Sequence, residues 1–236
     1  PGEILWTIRA PRACMAALVG AALGLSGAAL QGLLRNPLAD PGVLGVSASA
    51  GLGAGVAIAL GLAALPGAIE LSALAGALVA GALVVALAAR FREPETLILL
   101  GVSISAFAGA LSSLVYNLSP SPVTTAEVLS WMLGSVANRD WPDLVSTAIP
   151  AVIGAGLVAW SARGLTMLTL GEETAALSGL PMARLRAAAV GGAALLAGAS
   201  VAAAGIIGFV GLAAPHLVRR FAGDDPGKTL LPSALA

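Results

Sequence analysis

Long uncharged apolar runs separated by short polar intervals set the plan of the chain. Residues 13–34 carry no charge over a length that meets the roughly 20 apolar residues a membrane span needs. A double-proline turn at 35–42 follows, and then an uncharged, Gly-rich and Ser-containing run at 43–69. That run is longer than one crossing requires and has room for an irregular or broken portion. Glu70 marks a brief exit, 71–89 returns, and the charged run Arg90-Phe-Arg-Glu-Pro-Glu95 closes it. Residues 97–118 form the fourth span. Ser119-Pro-Ser-Pro122 breaks the chain, and 127–137 is too short to cross, which predicts a partial helix at the membrane surface. Residues 144–162 and 187–207 are the fifth and sixth spans. The piece at 208–218, interrupted by Gly211 and Pro215, predicts a short or broken helix, tolerable where it packs against protein.

The polar interval at 163–186 has structure of its own. Glu172 and Glu173 favour a helix N-terminus, Ser178-Gly179 supplies a C-terminal stop, and Pro181 suits the first turn of a second helix before Arg184 and Arg186. The interval therefore predicts two short helices on one membrane face, at about 171–187, which is a docking surface.

Composition agrees. Hydrophobic residues are 58% of the 236 and charged residues 10%, whereas a soluble domain is roughly a quarter charged. The class is an all-α integral membrane protein, one polytopic helical bundle over 1–236. Thirty glycines suit close helix packing rather than an aromatic-rich barrel. The net charge of zero gives no reason to expect nucleic acid. Alternating the segments puts Arg35, Arg90, Arg92, Arg163, Arg184, Arg186, Arg219, Arg220 and Lys228 on one side, and only Arg9, Arg12 and Arg139 on the other. The first side is cytoplasmic by the excess of positive charge. Cys14, the single cysteine, sits in an apolar run and reads as a buried thiol. The chain begins at Pro1 and stops in an apolar start at 230–236, which reads as a sequence cut at both ends.

Gly20 with Gly198, Gly27 with Gly205, Leu34 with Leu212 and Pro37 with Pro215 recur at one constant offset, the first copy running inward and the second outward. Such inverted repeats are common in transporters.

Enzymatic readings fare poorly. Ala222-Gly-Asp-Asp-Pro-Gly-Lys-Thr229 fits a relaxed phosphate-loop pattern, but a membrane segment precedes it, two aspartates would repel phosphate, and Pro226 removes a donor. His216 has no partner at metal-ligand spacing and reads as a polar cap or loop anchor. No nucleophile-and-base pairing stands out, and no metal or cofactor is expected in this chain. Ser105, Gly109, Ser112 and Tyr116 recur at helical spacing and predict a small, polar face on the fourth span. That face reads either as a pathway lining or as helix packing in which the serines bond their own backbone. No Asp, Glu, Lys or Arg lies inside the confident spans, which disfavours a proton or sodium relay and hence gradient-driven secondary transport.

Several motifs carry a family resemblance over essentially the whole chain. They are Arg9-Ala-Pro-Arg12, Gly20, Ser26-Gly27, Gln31, Asn36-Pro-Leu-Ala-Asp-Pro-Gly42 and Leu44-Gly45-Val-Ser47. With them come Trp131-Met-Leu-Gly-Ser135, Trp141, Leu170-Gly-Glu172, Gly179-Leu-Pro181, Gly205-Ile-Ile-Gly-Phe-Val-Gly-Leu212, Pro215-His216 and Arg219. Together they resemble the FecCD-type permeases of binding-protein-dependent ABC importers for iron-siderophores, haem and cobalamin. The resemblance implies a type II importer permease of ten helices, of which this chain would span the second to the start of the ninth. It implies a homodimer in a bacterial inner membrane, two cytoplasmic ATPase subunits that bind the ATP and magnesium, and an outer solute-binding protein. Gly171, Glu172, Glu173, Thr174, Ala175, Leu177, Gly179 and Leu180 match the coupling helices, so Gly179→Pro or a charge at Ala175 is expected to uncouple transport from ATP hydrolysis. Arg9 and Arg12 match arginines that meet the binding protein, and Asn36 and Leu38 match a cytoplasmic gate. The stretch 131–141 is closer to siderophore or haem permeases than to the cobalamin type, which stays the alternative.

Overall fold

The computed structural model describes residues 2–88, 94–118 and 122–236, and every regular element among them is helical. The first span, α1 (Ala10–Leu34), is extended at its start by a π-helical turn (Leu5–Arg9) and a short Gly2–Ile4 turn, so Arg9 and Arg12 stand on a continuous helix rather than in a loop. A 3-10 turn (Pro41–Leu44) leads into α2 (Val46–Ala59). There follow α3 (Ala68–Ala88), α4 (Pro94–Leu118), α5 (Pro122–Met132) and α6 (Trp141–Met167). Next come α7 (Glu172–Leu177), α8 (Met182–Ala204), α9 (Val210–Ala222) and α10 (Pro226–Leu235). Five described helices are long and apolar enough to cross a bilayer: 2–34, 68–87, 96–118, 141–170 and 182–204.

The irregular portion expected in 43–69 lies mostly at 60–67, a turn with a 3-10 piece (Leu62–Ala64), and with the 3-10 turn before it this leaves α2 only 14 residues long, or about 21 Å at the usual rise. The partial helix expected at 127–137 begins earlier, as α5, and gives way to a turn after Met132. The charge cap at 90–93 and most of the break at 119–122 lie outside the described residues.

At the centre, α8 runs beside α1, α3 and α6, and 83% of its apolar window is buried. Small residues make this possible, because glycine lets one backbone approach another. A Cβ on Gly154 would meet the Gly192 carbonyl at 2.9 Å, and one on Gly192 would meet the Gly154 carbonyl at 2.8 Å, so α6 and α8 cross backbone to backbone. Gly53 of α2 and Gly76 of α3 show the same reciprocity, each set against the partner helix's Ser72 or Ser49 carbonyl.

Two expectations fail here. Cys14 is exposed, because it occupies a lateral face of α1 that no other described helix covers. The constant-offset repeat also diverges locally: Gly27 stays inside α1, whereas Gly205, at φ +72°, ends α8.

Candidate coupling face and inner gate

The predicted docking interval forms one short helix, not two. A 3-10 turn (Leu168–Leu170) extends α6, Gly171 turns the chain at φ +99°, and α7 occupies Glu172–Leu177. The segment expected as a second helix is the first turn of the span α8, since Met182 onward continues into the membrane without a stop. The end of α7 is a Schellman cap: Leu180 N–H donates to the Ala175 carbonyl at 3.2 Å, and Gly179 N–H donates to that of Ala176 at 3.0 Å. Gly179 supplies the left-handed conformation at φ +84°.

This geometry divides the coupling residues into two sets. Ala175 is 1% exposed and joins Leu168 and Leu185 in the main core. Glu172 accepts from Arg186 in an ion pair that braces α7 against α8. Facing outward are Leu170 (70% exposed), Leu177 (85%), Glu173 and Thr174. A charge at Ala175 would therefore disturb folding before it tested docking, and Leu177 is the cleaner position.

The loop expected to form the gate is built from local caps. Arg35 closes α1 in the left-handed conformation at φ 47°. Asn36 Oδ1 accepts from Leu38 N–H at 2.9 Å, and the turn leaves Leu38 71% exposed. Asp40 Oδ1 accepts from Gly42 N–H at 2.8 Å to cap the 3-10 turn. Burial of Asp40 pushes its carboxyl above the usual range, and the Gly42 bond only partly offsets this.

Two helices grip this loop. On one side Gly101 of α4 lies against the Val43 carbonyl, and a Cβ there would come within 2.6 Å of Leu44 Cα. On the other, Gly211 of α9 packs so closely that a Cβ would meet Pro41 Cδ at 2.8 Å and Asp40 Oδ2 at 3.1 Å. The Gly211 carbonyl in turn occupies the space where Gly27 of α1 would carry its Cβ.

Side chains that sequence reasoning left without a role hold this junction. Gln31, 2% exposed, donates through Nε2 to the Gly211 and Leu212 carbonyls at 3.4 Å, and its Oε1 accepts from Arg219 Nη2 at 2.6 Å. A lone amide in an otherwise apolar span was the available signal. It ties α1 to the broken segment, whose short helix was anticipated and appears as α9 after the non-helical stretch 205–209. The outer side of that break is held by backbone: Ser135 N–H donates to the Ala204 carbonyl at 2.6 Å, and a Cβ on Gly134 would sit 2.8 Å from the Ile206 carbonyl. Two separate sequence motifs, 131–135 and 205–212, thus meet in space.

The polar face predicted on the fourth span is split. Ser105 Oγ donates to the Gly42 carbonyl at 3.5 Å, Ser112 is buried, and Tyr116 OH reaches Met132 Sδ at 3.3 Å with its ring over Gly55. Ser105 and Tyr116 pack against the 3-10 turn, α2 and α5, and Gly109, on the same side of the helix, is exposed. The outward polar groups of α4 are Ser103, Ser113 and Asn117, each bonded to the carbonyl four residues back at 2.8–3.0 Å.

Of the three outer arginines, Arg139 is taken up by Glu70 at 3.2 Å and Asp143 at 3.7 Å. Arg9 and Arg12 are exposed and have no ion pair among the described residues. Beside them Trp6 and Trp141 meet in a tilted ring contact with centroids 5.1 Å apart, and Trp141 Nε1 donates to the Trp6 carbonyl at 3.1 Å. His216 is exposed on α9.

The phosphate-loop pattern is also resolved. Asp225 caps α10 by accepting from Gly227 N–H at 3.0 Å and Thr166 Oγ1 at 2.6 Å. The Thr166 hydroxyl holds the Asp225 carboxyl below its usual range. The helix N-terminus that a phosphate would need is therefore occupied by the chain's own carboxylate.

The FecCD transport family profile matches residues 2–236. The chain belongs to that family. It is 40% identical over 240 residues to the uncharacterized ABC transporter permease protein YvrB of Bacillus subtilis, covering 99% of this chain and 67% of that protein. It is 40% identical over 235 residues to the vitamin B12 import system permease protein BtuC of Shigella flexneri, covering 98% and 71%. Among solved structures it matches a metal-chelate type ABC transporter in an inward-facing conformation, with TM-score 0.91 and 31% identity over 99% of this chain and 75% of that one. The protein is a multi-pass ABC importer permease, a transport subunit with the bundle architecture of that fold.

Proposed function

We propose that this permease moves a metal chelate, a ferric siderophore or haem, inward across a bacterial inner membrane, driven by ATP hydrolysed on separate subunits. The observation that carries the reading is α7: exposed Leu177 at its end and exposed Leu170 in the turn before it, on a helix braced from behind by Glu172–Arg186 and a Schellman cap. Such a helix is suited to seat in a groove of a cytoplasmic ATPase. As two ATPases close on ATP, α7 would move with them and pull on α6 and α8, whose ends it joins. Rigid spans then rock between states that differ in their contacts, as any driven conformational equilibrium requires.

In this reading two copies form the pathway between them, Asn36 and Leu38 form its inner gate, and exposed Arg9 and Arg12 meet acidic residues on a solute-binding protein. The outward residues Ser103, Ser113 and Asn117 take the pathway role first assigned to Ser105, Ser112 and Tyr116. The likeness to vitamin B12 permeases supports cobalamin as the second cargo, itself a metal chelate. The test is uptake into proteoliposomes holding the permease and its ATPase, offered ferric siderophore, haem and cobalamin on their binding proteins. ATP-dependent uptake of an iron chelate is expected. Uptake of cobalamin alone would move the cargo to the second reading, and uptake indifferent to ATP would overturn the coupling.

A further inference from the structure

A cavity of about 350 Å³ opens beside the gate loop, lined by Gln31, Arg35, Asn36, Thr169, Arg219 and Asp224 among others. Two arginines, Arg35 and Arg219, share its wall. Arg219 is fixed by the buried Gln31, and among the described residues only that one hydrogen bond occupies its guanidinium. Arg35 is exposed at the end of α1, and neither arginine has a carboxylate at ion-pair distance among the described residues. Asn36 spends its Oδ1 on Leu38, which leaves its amide N–H groups to the cavity. The one acid in the lining, Asp224, makes the net charge of these side chains positive by one.

We propose that this cavity is a second socket for the cytoplasmic ATPase and takes one of its acidic side chains. The inference rests on the coupling role given to α7 above. Three observations favour a carboxylate on that partner. A single carboxylate neutralises the lining, whereas a phosphate dianion would overcompensate it and face Asp224. Thr169 belongs to the 3-10 turn that ends at Gly171, so the socket adjoins the coupling helix and a partner seated there comes within reach. Arginine is also the donor suited to gripping a carboxylate in a fixed geometry. The consequence is a direct connection. A carboxylate between Arg35 and Arg219 would join the gate loop to the broken segment, while α7 itself pulls only on α6 and α8.

The experiment titrates the ATPase onto the full permease in nanodiscs. Arg35→Glu is expected to raise the Kd about tenfold or more, Arg35→Lys to raise it less, and a Lys at the matching acidic ATPase position to restore binding to Arg35→Glu. Thr169→Glu, at an exposed wall of the same cavity, fills the socket from within and is expected to weaken binding with every residue of the 35–44 loop kept. Wild-type Kd in both Arg35→Glu and Thr169→Glu would overturn the socket. Leu177→Glu is the separate arm. If it abolishes binding while the socket variants leave Kd unchanged, only the socket fails; if it binds like wild type, the docking role of α7 fails.

Discussion

The spans α8 and α4 have similar length and apolarity, yet 83% of one apolar window is buried and 17% of the other. Helix α8 is walled on several sides by α1, α3 and α6, while α4 touches the bundle through one face and leaves Leu99, Val102, Phe107 and Leu114 outside. Apolarity says that a helix can live in lipid. It does not say whether lipid, the rest of the chain or a second copy is what it meets. In this protein the packed side is a scaffold assembled through glycines and backbone carbonyls, and the α4 side is a surface built to meet something else.

Substitutions on the two sides should separate sharply. The largest effect is expected from Gly27→Ala, whose new methyl would collide with the Gly211 backbone; overpacking of this kind costs about 3 kcal/mol or more where backbone cannot yield. The matching change on the other side, Gly109→Ala, meets nothing within 4 Å and should leave the melting midpoint unchanged or slightly raised. Equal loss in both would erase the contrast. Gln31→Leu comes next, because it strands Arg219 and two carbonyls; about 2 kcal/mol is expected, read by thermal unfolding in detergent.

Glu172→Gln should cost about 1 kcal/mol or less, since the pair is partly exposed. Its signature is functional, a fall in solute moved per ATP hydrolysed, and an unchanged ratio would show that the brace carries no motion. Asn117→Leu on α4 should change stability by about 0.5 kcal/mol at most while lowering uptake, and full uptake would remove α4's outer face from the pathway.

The smallest effect is at Asp40. Because burial raises its folded pKa, folding favours the protonated acid, so the contribution it makes is fully present at low pH and lost as pH rises through the raised value. Asp40→Asn keeps the acceptor for Gly42 N–H and removes that loss. Stability at pH 7 should be equal or higher by less than about 1 kcal/mol, with a flatter pH profile in the mildly acidic range.

The places where sequence succeeded and failed follow the same division. Five of the spans, the short 208–218 piece and the double-proline turn at 35–42 were legible because charge, proline and glycine act locally. The face of the fourth span was not. Ser105 and Ser112 look like a polar lining by spacing, but α4 also carries Ser103, Ser113 and Asn117 on another side, and spacing alone does not say which side the bundle covers. Cys14 failed for the same reason. The second docking helix failed differently: Pro181 did mark a helix start, but that helix was the span itself, because Met182 to Ala204 contains nothing to stop it. Gln31 and Arg219 meet across most of the chain length, a contact no local rule reveals.

One lateral thiol has a practical consequence. Cys14 is the sole cysteine of these 236 residues and lies open on the first membrane-crossing helix among them, so within this stretch a fluorophore or spin label goes to one native position. Two copies so labelled would report their separation directly, and the change of that distance on adding nucleotide would time the rocking of the assembly.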